Sequence, residues 1–247
     1  MKASTVLITL KRRFLCSLMI AALAVTVIPD YSSAGMSGGL SFMLGFPQGE
    51  FSDNVDKTGY GVSGELAYKP RLSPFSIGGS LAYMVYGREK RTEPFSYTIP
   101  DVFVDVITTN SLFSGHILLR TEVPKGPIRP YVDGLLGFNY LFTETKIEGY
   151  SDEPIAKTTN FDDAVFSYGA GGGVLIKVFG DEAALKAARF GKSPLVFIDL
   201  RLRYLIGGEA EYLKEGSIGR VGTTVVYDVI ESKTDLLTFH IGVTAVF

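Results

Sequence analysis

The 247-residue sequence predicts an all-β chain, an eight-stranded antiparallel transmembrane β-barrel preceded by a cleavable signal peptide. Three observations carry that reading. Past residue 35, apolar residues recur at every second position through eight segments, the period of a strand with two unlike faces. The mean hydropathy is +0.22, yet only one stretch, near the N-terminus, is long and apolar enough to suggest a membrane helix. The face opposite the apolar one is crowded with Gly, Ser and Ala instead of the long Lys and Glu that a water-washed face favours.

The leader comes first. Lys2, Lys11, Arg12 and Arg13 precede the apolar run from Phe14 to Ile28, and Ser32, Ser33 and Ala34 follow as the small residues a signal peptidase accepts. Residues 1–34 are therefore assigned to the signal peptide and residues 35–247 to the barrel domain. The apolar run is shorter than the roughly 20 residues a membrane helix needs. Cys16 lies near the start of the apolar run, before its core and not after it, where a lipid-attached cysteine would be. It is the chain's one Cys, so neither a disulfide framework nor a Cys-rich metal site is available. With 24 basic and 26 acidic side chains, the chain is no basic nucleic-acid platform, and loss of the leader leaves a net charge of about −5.

The segments follow in order. Leu40, Phe42, Leu44 and Phe46 share one face of the first; Tyr60, Val62, Leu66 and Tyr68 of the second; Ile77, Leu81, Tyr83 and Val85 of the third; Phe113, Ile117 and Leu119 of the fourth. The fifth sets Val132, Leu136, Phe138, Tyr140 and Phe142 against Asp133, Gly137 and Asn139. In the sixth, Tyr168, Ala170, Val174, Ile176 and Val178 oppose Ser167, Gly169, Gly171 and Gly173. Val196, Ile198, Leu200, Leu202 and Tyr204 alternate with Phe197, Asp199, Arg201 and Arg203 in the seventh. In the eighth, Leu237, Phe239, Ile241, Val243, Ala245 and Phe247 alternate with Thr238, His240, Gly242 and Thr244. The links near 47–58, 88–110, 144–163 and 207–235 read as long and polar, those at 70–74 and 123–130 as short and Pro-marked. The link at 180–193 is longer than this alternation requires, and residues 181–189 read as one or two helical turns.

Alternation alone does not say which face looks outward. An eight-stranded barrel has an interior just wide enough to be filled by side chains, so small residues beside a few large ones belong inside. The charged residues of that face are balanced, Glu65, Asp133 and Asp199 against Arg120, Arg201 and Arg203. Buried charges persist only when paired, so the balance predicts an ion-pair network plugging the lumen. Lipid forbids an open sheet edge, which demands closure. Tyr60, Tyr68, Tyr83, Tyr140, Tyr168 and Tyr204 suit an interfacial aromatic girdle.

On the residues 44–51 (LGFPQGEF), 60–68 (YGVSGELAY) and 129–138 (RPYVDGLLGF), and on a last strand ending in Phe247, the chain resembles the small outer-membrane β-barrel family, the OmpA/OmpX-like barrels of Gram-negative envelopes. The resemblance covers nearly all of residues 36–247. It implies location in the outer membrane, contact with outer-membrane lipid, and a role for the aromatic pair Phe239 and Phe247 as the signal read by the barrel-assembly machinery. Because nothing follows Phe247, no peptidoglycan-binding domain and no wall anchoring through one are expected.

Several motifs invite chemistry and fit a plainer role better. The run 169–173 (GAGGG) lacks the last glycine of GxGxxG and any GK[ST], so glycines relieving crowding in the lumen are expected. His116 and His240 share the lumen face, but two His make a poor metal site, and hydrogen-bonded histidines are expected. Asp53, Asp56, Asp152, Glu153, Asp162 and Asp163 match no Ca²⁺ loop. Ser114 and His116 lie two apart on one face, a pattern too common to mark a lipid-modifying enzyme. No cofactor is implied and no enzyme is expected.

Residues 98–109 and 221–229 are β-prone and are expected to extend strands beyond the membrane, giving an edge for an extracellular or envelope partner still unknown. The leading function is thus structural or surface-interacting. A passage route for a small, hydrophobic solute and a lipid-modifying activity are the two alternatives.

Overall fold

The computed structural model describes residues 35–70, 73–96, 99–148, 154–180, 194–221 and 224–247. The leader, Asp152, Glu153 and the helical reading of 181–189 lie outside them. Eight strands close the barrel: β1 (Gly35–Pro47), β2 (Gly59–Lys69), β3 (Phe75–Ser96), β4 (Ile99–Glu122), β5 (Ile128–Glu148), β6 (Pro154–Phe179), β7 (Leu195–Gly207) and β12 (Leu236–Val246). Each pairs antiparallel with its chain neighbour, and β1 closes on β12 with Phe42 opposite Ile241. Between β7 and β12 lie two two-stranded sheets, β8 (Glu209–Tyr212) with β11 (Ile230–Lys233) and β9 (Ile218–Val221) with β10 (Thr224–Tyr227).

The apolar face points out. Leu202 and Ile241 are 47% and 48% exposed, whereas their chain neighbours Arg201 and His240 are each 2% exposed. Leu40, Val62, Leu81, Ile117 and Leu136 continue the exposed band around the wall. Within it, Tyr60, Tyr83, Tyr140, Tyr168 and Tyr204 lie toward the end where the long links gather, and Tyr68 marks the end of short turns.

Two readings of the links need correction. Residues 88–110 and 144–163 are mostly strand: β3 and β4 stay paired from Gly87 opposite Asn110 up to Glu93 opposite Val104, and β5 pairs with β6 as far as Glu148 opposite Pro154. Above the wall, burial no longer follows every second residue: Val104, Ile107 and Thr108 are buried with Asp105 and Val106 half-buried between them, so the alternation that marks a strand disappears. The β-prone stretches do form strands. Residues 99–109 belong to β4, and the described residues of 221–229 supply the end of β9 and all of β10.

The first long link holds α1 (Glu50–Asn54), five residues started by Gly49, whose φ of 58° is a left-handed conformation that favours glycine. Its Phe51 is fully buried and anchors a lid. The rings of Tyr212 and Tyr86 meet Phe51 edge-on at 5.3 and 5.7 Å, above a second layer that includes Met84, Leu112 and Leu141.

Candidate functional site: the lumen and its lid

Period-two geometry turns Glu65 on β2, Arg120 on β4, Asp133 on β5 and Asp199, Arg201 and Arg203 on β7 into the interior, where all six are at least nine-tenths buried. The structure brings them together. Arg120 Nη2 donates to Glu65 Oε2 and to Asp133 Oδ2, both at 2.9 Å. Arg203 Nη2 donates to Asp133 Oδ2 at 2.6 Å and also to Glu65, which is ion-paired with Arg201 as well. Glu65 therefore serves three guanidinium groups, linking β2 to strands that are not its neighbours in the sheet.

Asp199 sits at the edge of this cluster. It is 3.4 Å from Arg201 and accepts from the Tyr131 hydroxyl at 2.6 Å and from Thr244 Oγ1 at 3.4 Å. The Tyr131 ring lies under the Arg120 guanidinium, 4.0 Å from ring centre to carbon. Sequence reading missed Tyr131, because an aromatic on the lumen face breaks the small-or-charged pattern. Its room is made by β6: a Cβ on Gly173 would fall within 2.6 Å of the Tyr131 hydroxyl oxygen, and one on Gly171 within 2.5 Å of the Arg203 side chain. The glycine run is thus the wall against which the network packs, not a phosphate loop.

His116 and His240 both face the interior but take separate partners. His240 bonds Ser63 Oγ through Nδ1 and Thr238 Oγ1 through Nε2, each at 3.0 Å, and His116 Nε2 bonds Ser167 Oγ at 3.2 Å. From Ser63 the chain of bonds runs to Ser41 at 2.8 Å, which accepts from Arg201 at 2.8 Å. Ser114 donates to Asn139 Oδ1 at 2.8 Å, so it is not turned to His116 as a nucleophile would be to its base. Both sit mid-strand and buried, away from the rim. Among the described residues, no three His, Cys, Asp or Glu side chains converge as metal ligands would.

Apolar layers bound the network at each end. Tyr131, Leu175, Leu195 and Phe197 form a buried cluster at the short-turn end, and Met43, Met84, Leu112, Leu141, Leu205 and Leu236 join the lid residues at the other. The lumen is layered, apolar at both ends and ionic between. Of the assembly candidates, Phe239 lies on the outer face of β12 and Phe247 follows its last residue, both exposed, and the Phe247 amide donates to the Met36 carbonyl at 2.8 Å across the closing seam.

With apolar residues outward, charges inward and the ring closed, the architecture is decided. It is an eight-stranded antiparallel barrel, closed on itself, with ionisable side chains inside. No family model matches the chain, and no curated protein matches it. Solved structures similar to it include Neisserial surface protein A, 12% identical over 86% of this chain and 96% of that one, with a TM-score of 0.41. Others are the outer membrane protein OprG from Pseudomonas aeruginosa (13%, 88% and 97%, TM-score 0.38) and Ail, the attachment invasion locus protein of Yersinia pestis, in complex with the heparin analogue sucrose octasulfate (14%, 87% and 97%, TM-score 0.37).

Proposed function

We propose that this chain is an integral outer-membrane barrel whose lumen is plugged by its own side chains, and that it works at the cell surface through its long-loop end, with no catalytic step. The observation that carries this reading is the layered interior: ion pairs centred on Glu65 tie β2, β4, β5 and β7 together, between two apolar clusters. Above it, the paired extensions of β3 to β6 offer a sheet to an extracellular partner. The exposed apolar wall is supplied with its solvent by outer-membrane lipid, and Phe239 and Phe247 act as the signal for the barrel-assembly machinery. Residues 1–34 act as the leader, so the mass of the protein extracted from outer membranes should match a chain beginning at Gly35.

The purified barrel in planar lipid bilayers is expected to give no stable conductance, and steady single-channel currents would overturn the plugged reading. The alternative, passage of a small hydrophobic solute, needs a route past Arg201 and Asp199. Both side chains are instead engaged in ion pairs and hydrogen bonds within the wall.

A further inference from the structure

The outer wall is not evenly filled. Along its middle, leucine and glycine alternate from strand to strand. Leu40 on β1 stands opposite Gly64 on β2, and Gly64 opposite Leu81 on β3; one step toward the short turns, Gly38 stands opposite Leu66 and Leu66 opposite Gly79. Leu40 is 77% exposed, more than any other large apolar side chain among the described residues. At the same place the wall carries a groove of about 610 Å³, lined by Leu40 and by Phe42, Val62, Gly64, Leu81 and Ile241 among others. The chain fills one such gap itself, since a Cβ on Gly115 would fall 2.9 Å from the Phe138 ring. At Gly64 and Gly79 a Cβ would meet nothing closer than 3.4 and 3.9 Å, so these hollows stay open.

This face looks into hydrocarbon, so whatever covers it must lie in the membrane with it. A glycine inside a strand weakens the strand and commonly marks a place where another backbone comes close. Within lipid, packing and not the hydrophobic effect brings proteins together, and small residues let two backbones approach. A second copy of this chain meets that requirement. Every copy sits at one depth and in one orientation, so rotation about the membrane normal brings the patch onto its own image. A contact of that kind needs a surface that complements itself, and this one carries a ridge, Leu40, beside a hollow, Gly64. None of the residues lining the groove is charged. A lipid chain would have to give up conformational freedom to lie there, whereas the folded wall is already fixed.

We propose that this patch seats a second copy of the chain, forming a two-fold dimer within the membrane in which Leu40 of each copy enters the groove of the other above Gly64. The contact lies on the outside of the barrel, so it stands whether or not the lumen conducts.

The test is disulfide cross-linking of the full chain in outer membranes, in a Cys16→Ser background that leaves no other cysteine. Val62→Cys, within the groove, should give a covalent dimer on mild oxidation. The yield should be severalfold that of Leu136→Cys, which is comparably exposed on β5, across the ring from β1. Gly64→Leu fills the hollow; it should abolish the link and lower the mass in mild detergent from a dimer to a monomer, with heat-modifiable gel migration unchanged. Should that variant misfold, Leu40→Ala, which removes the ridge, reads the same contact and should cut the link severalfold. Failure of Val62→Cys to link, equal linking at Leu136→Cys, or indifference to both the filled hollow and the missing ridge would overturn the proposal. So would a monomer that carries lipid through purification and loses it in Gly64→Leu, seen by native mass spectrometry, because an acyl chain would then be the occupant.

Discussion

Gly173 on β6 and Tyr131 on β5 share one space: a Cβ on the glycine would lie 2.6 Å from the tyrosine's hydroxyl oxygen and 2.5 Å from the Leu200 carbonyl. The Tyr131 hydroxyl in turn donates to Asp199. Any side chain at 173 must therefore push on backbone as well as on the ring that orients Asp199. Gly173→Val is expected to destabilise the barrel by about 1–3 kcal/mol, the range for overpacking a filled interior. The shift in the temperature at which the protein changes its gel migration reads this directly, and an unchanged midpoint would refute the packing argument.

Glu65 offers the sharpest test of the ionic layer, since Arg120, Arg201 and Arg203 all pair with it. Removing one partner of a buried ion pair costs more than the pair contributes, because the remaining charge is left without compensation. Glu65→Ala should lower the unfolding free energy by about 3–5 kcal/mol, measured by urea titration of the barrel in micelles. Glu65→Gln, which keeps the shape and an acceptor oxygen, should cost less. If the two variants behave alike, charge is not what the site supplies.

Phe51 predicts a local effect. It is fully buried against Tyr86 and Tyr212, and truncating such a ring costs about 3–5 kcal/mol where the structure cannot collapse around the gap. The eight-stranded wall does not depend on it, so Phe51→Ala should open the lid while leaving the barrel folded. Rapid protease cleavage within residues 48–58, with unchanged heat-modifiability, is the expected pattern. Loss of both together would mean that lid and wall form one cooperative unit.

Acidity should loosen the same region through Glu215. Burial tends to raise its carboxyl, but the Lys57 ammonium and the Arg88 amide outweigh this and hold it below the ordinary value of 4.5. A folded-state value below the unfolded one contributes stability above the unfolded value and loses it as pH falls through the folded one. Amide exchange at Arg88, corrected for its intrinsic pH dependence, is therefore expected to stay slow near neutrality and to quicken below about pH 4.5. Glu215→Gln should make the corrected exchange fast at neutral pH and flatten the profile.

Within the wall, the sequence was legible because each strand divides two environments and period two separates them: Leu202 outside and Arg201 inside follow from parity alone. Parity names a face but not its contents. Met84, Leu112 and Leu141 occupy inward positions like Ser114 and Asn139, so the apolar layers gave no periodic signal. Phe51 is a lone aromatic in a polar link, and the partners that make it a lid anchor come from Tyr86 and Tyr212, far away in sequence. The register also slips between Val85 and Gly87 and between Thr143 and Glu144, so alternation counted through those points changes sides.

The apolar layers at the two ends of the lumen have a further consequence for the charges between them. Dissolved ions weaken an attraction only where they can approach it, and Lys90 with Asp105, 2.8 Å apart on the exposed strand extensions, is open to them. Glu65 and its arginines are not. In strong brine, the outer sheet should lose its electrostatic fastening while the middle of the cylinder keeps its own.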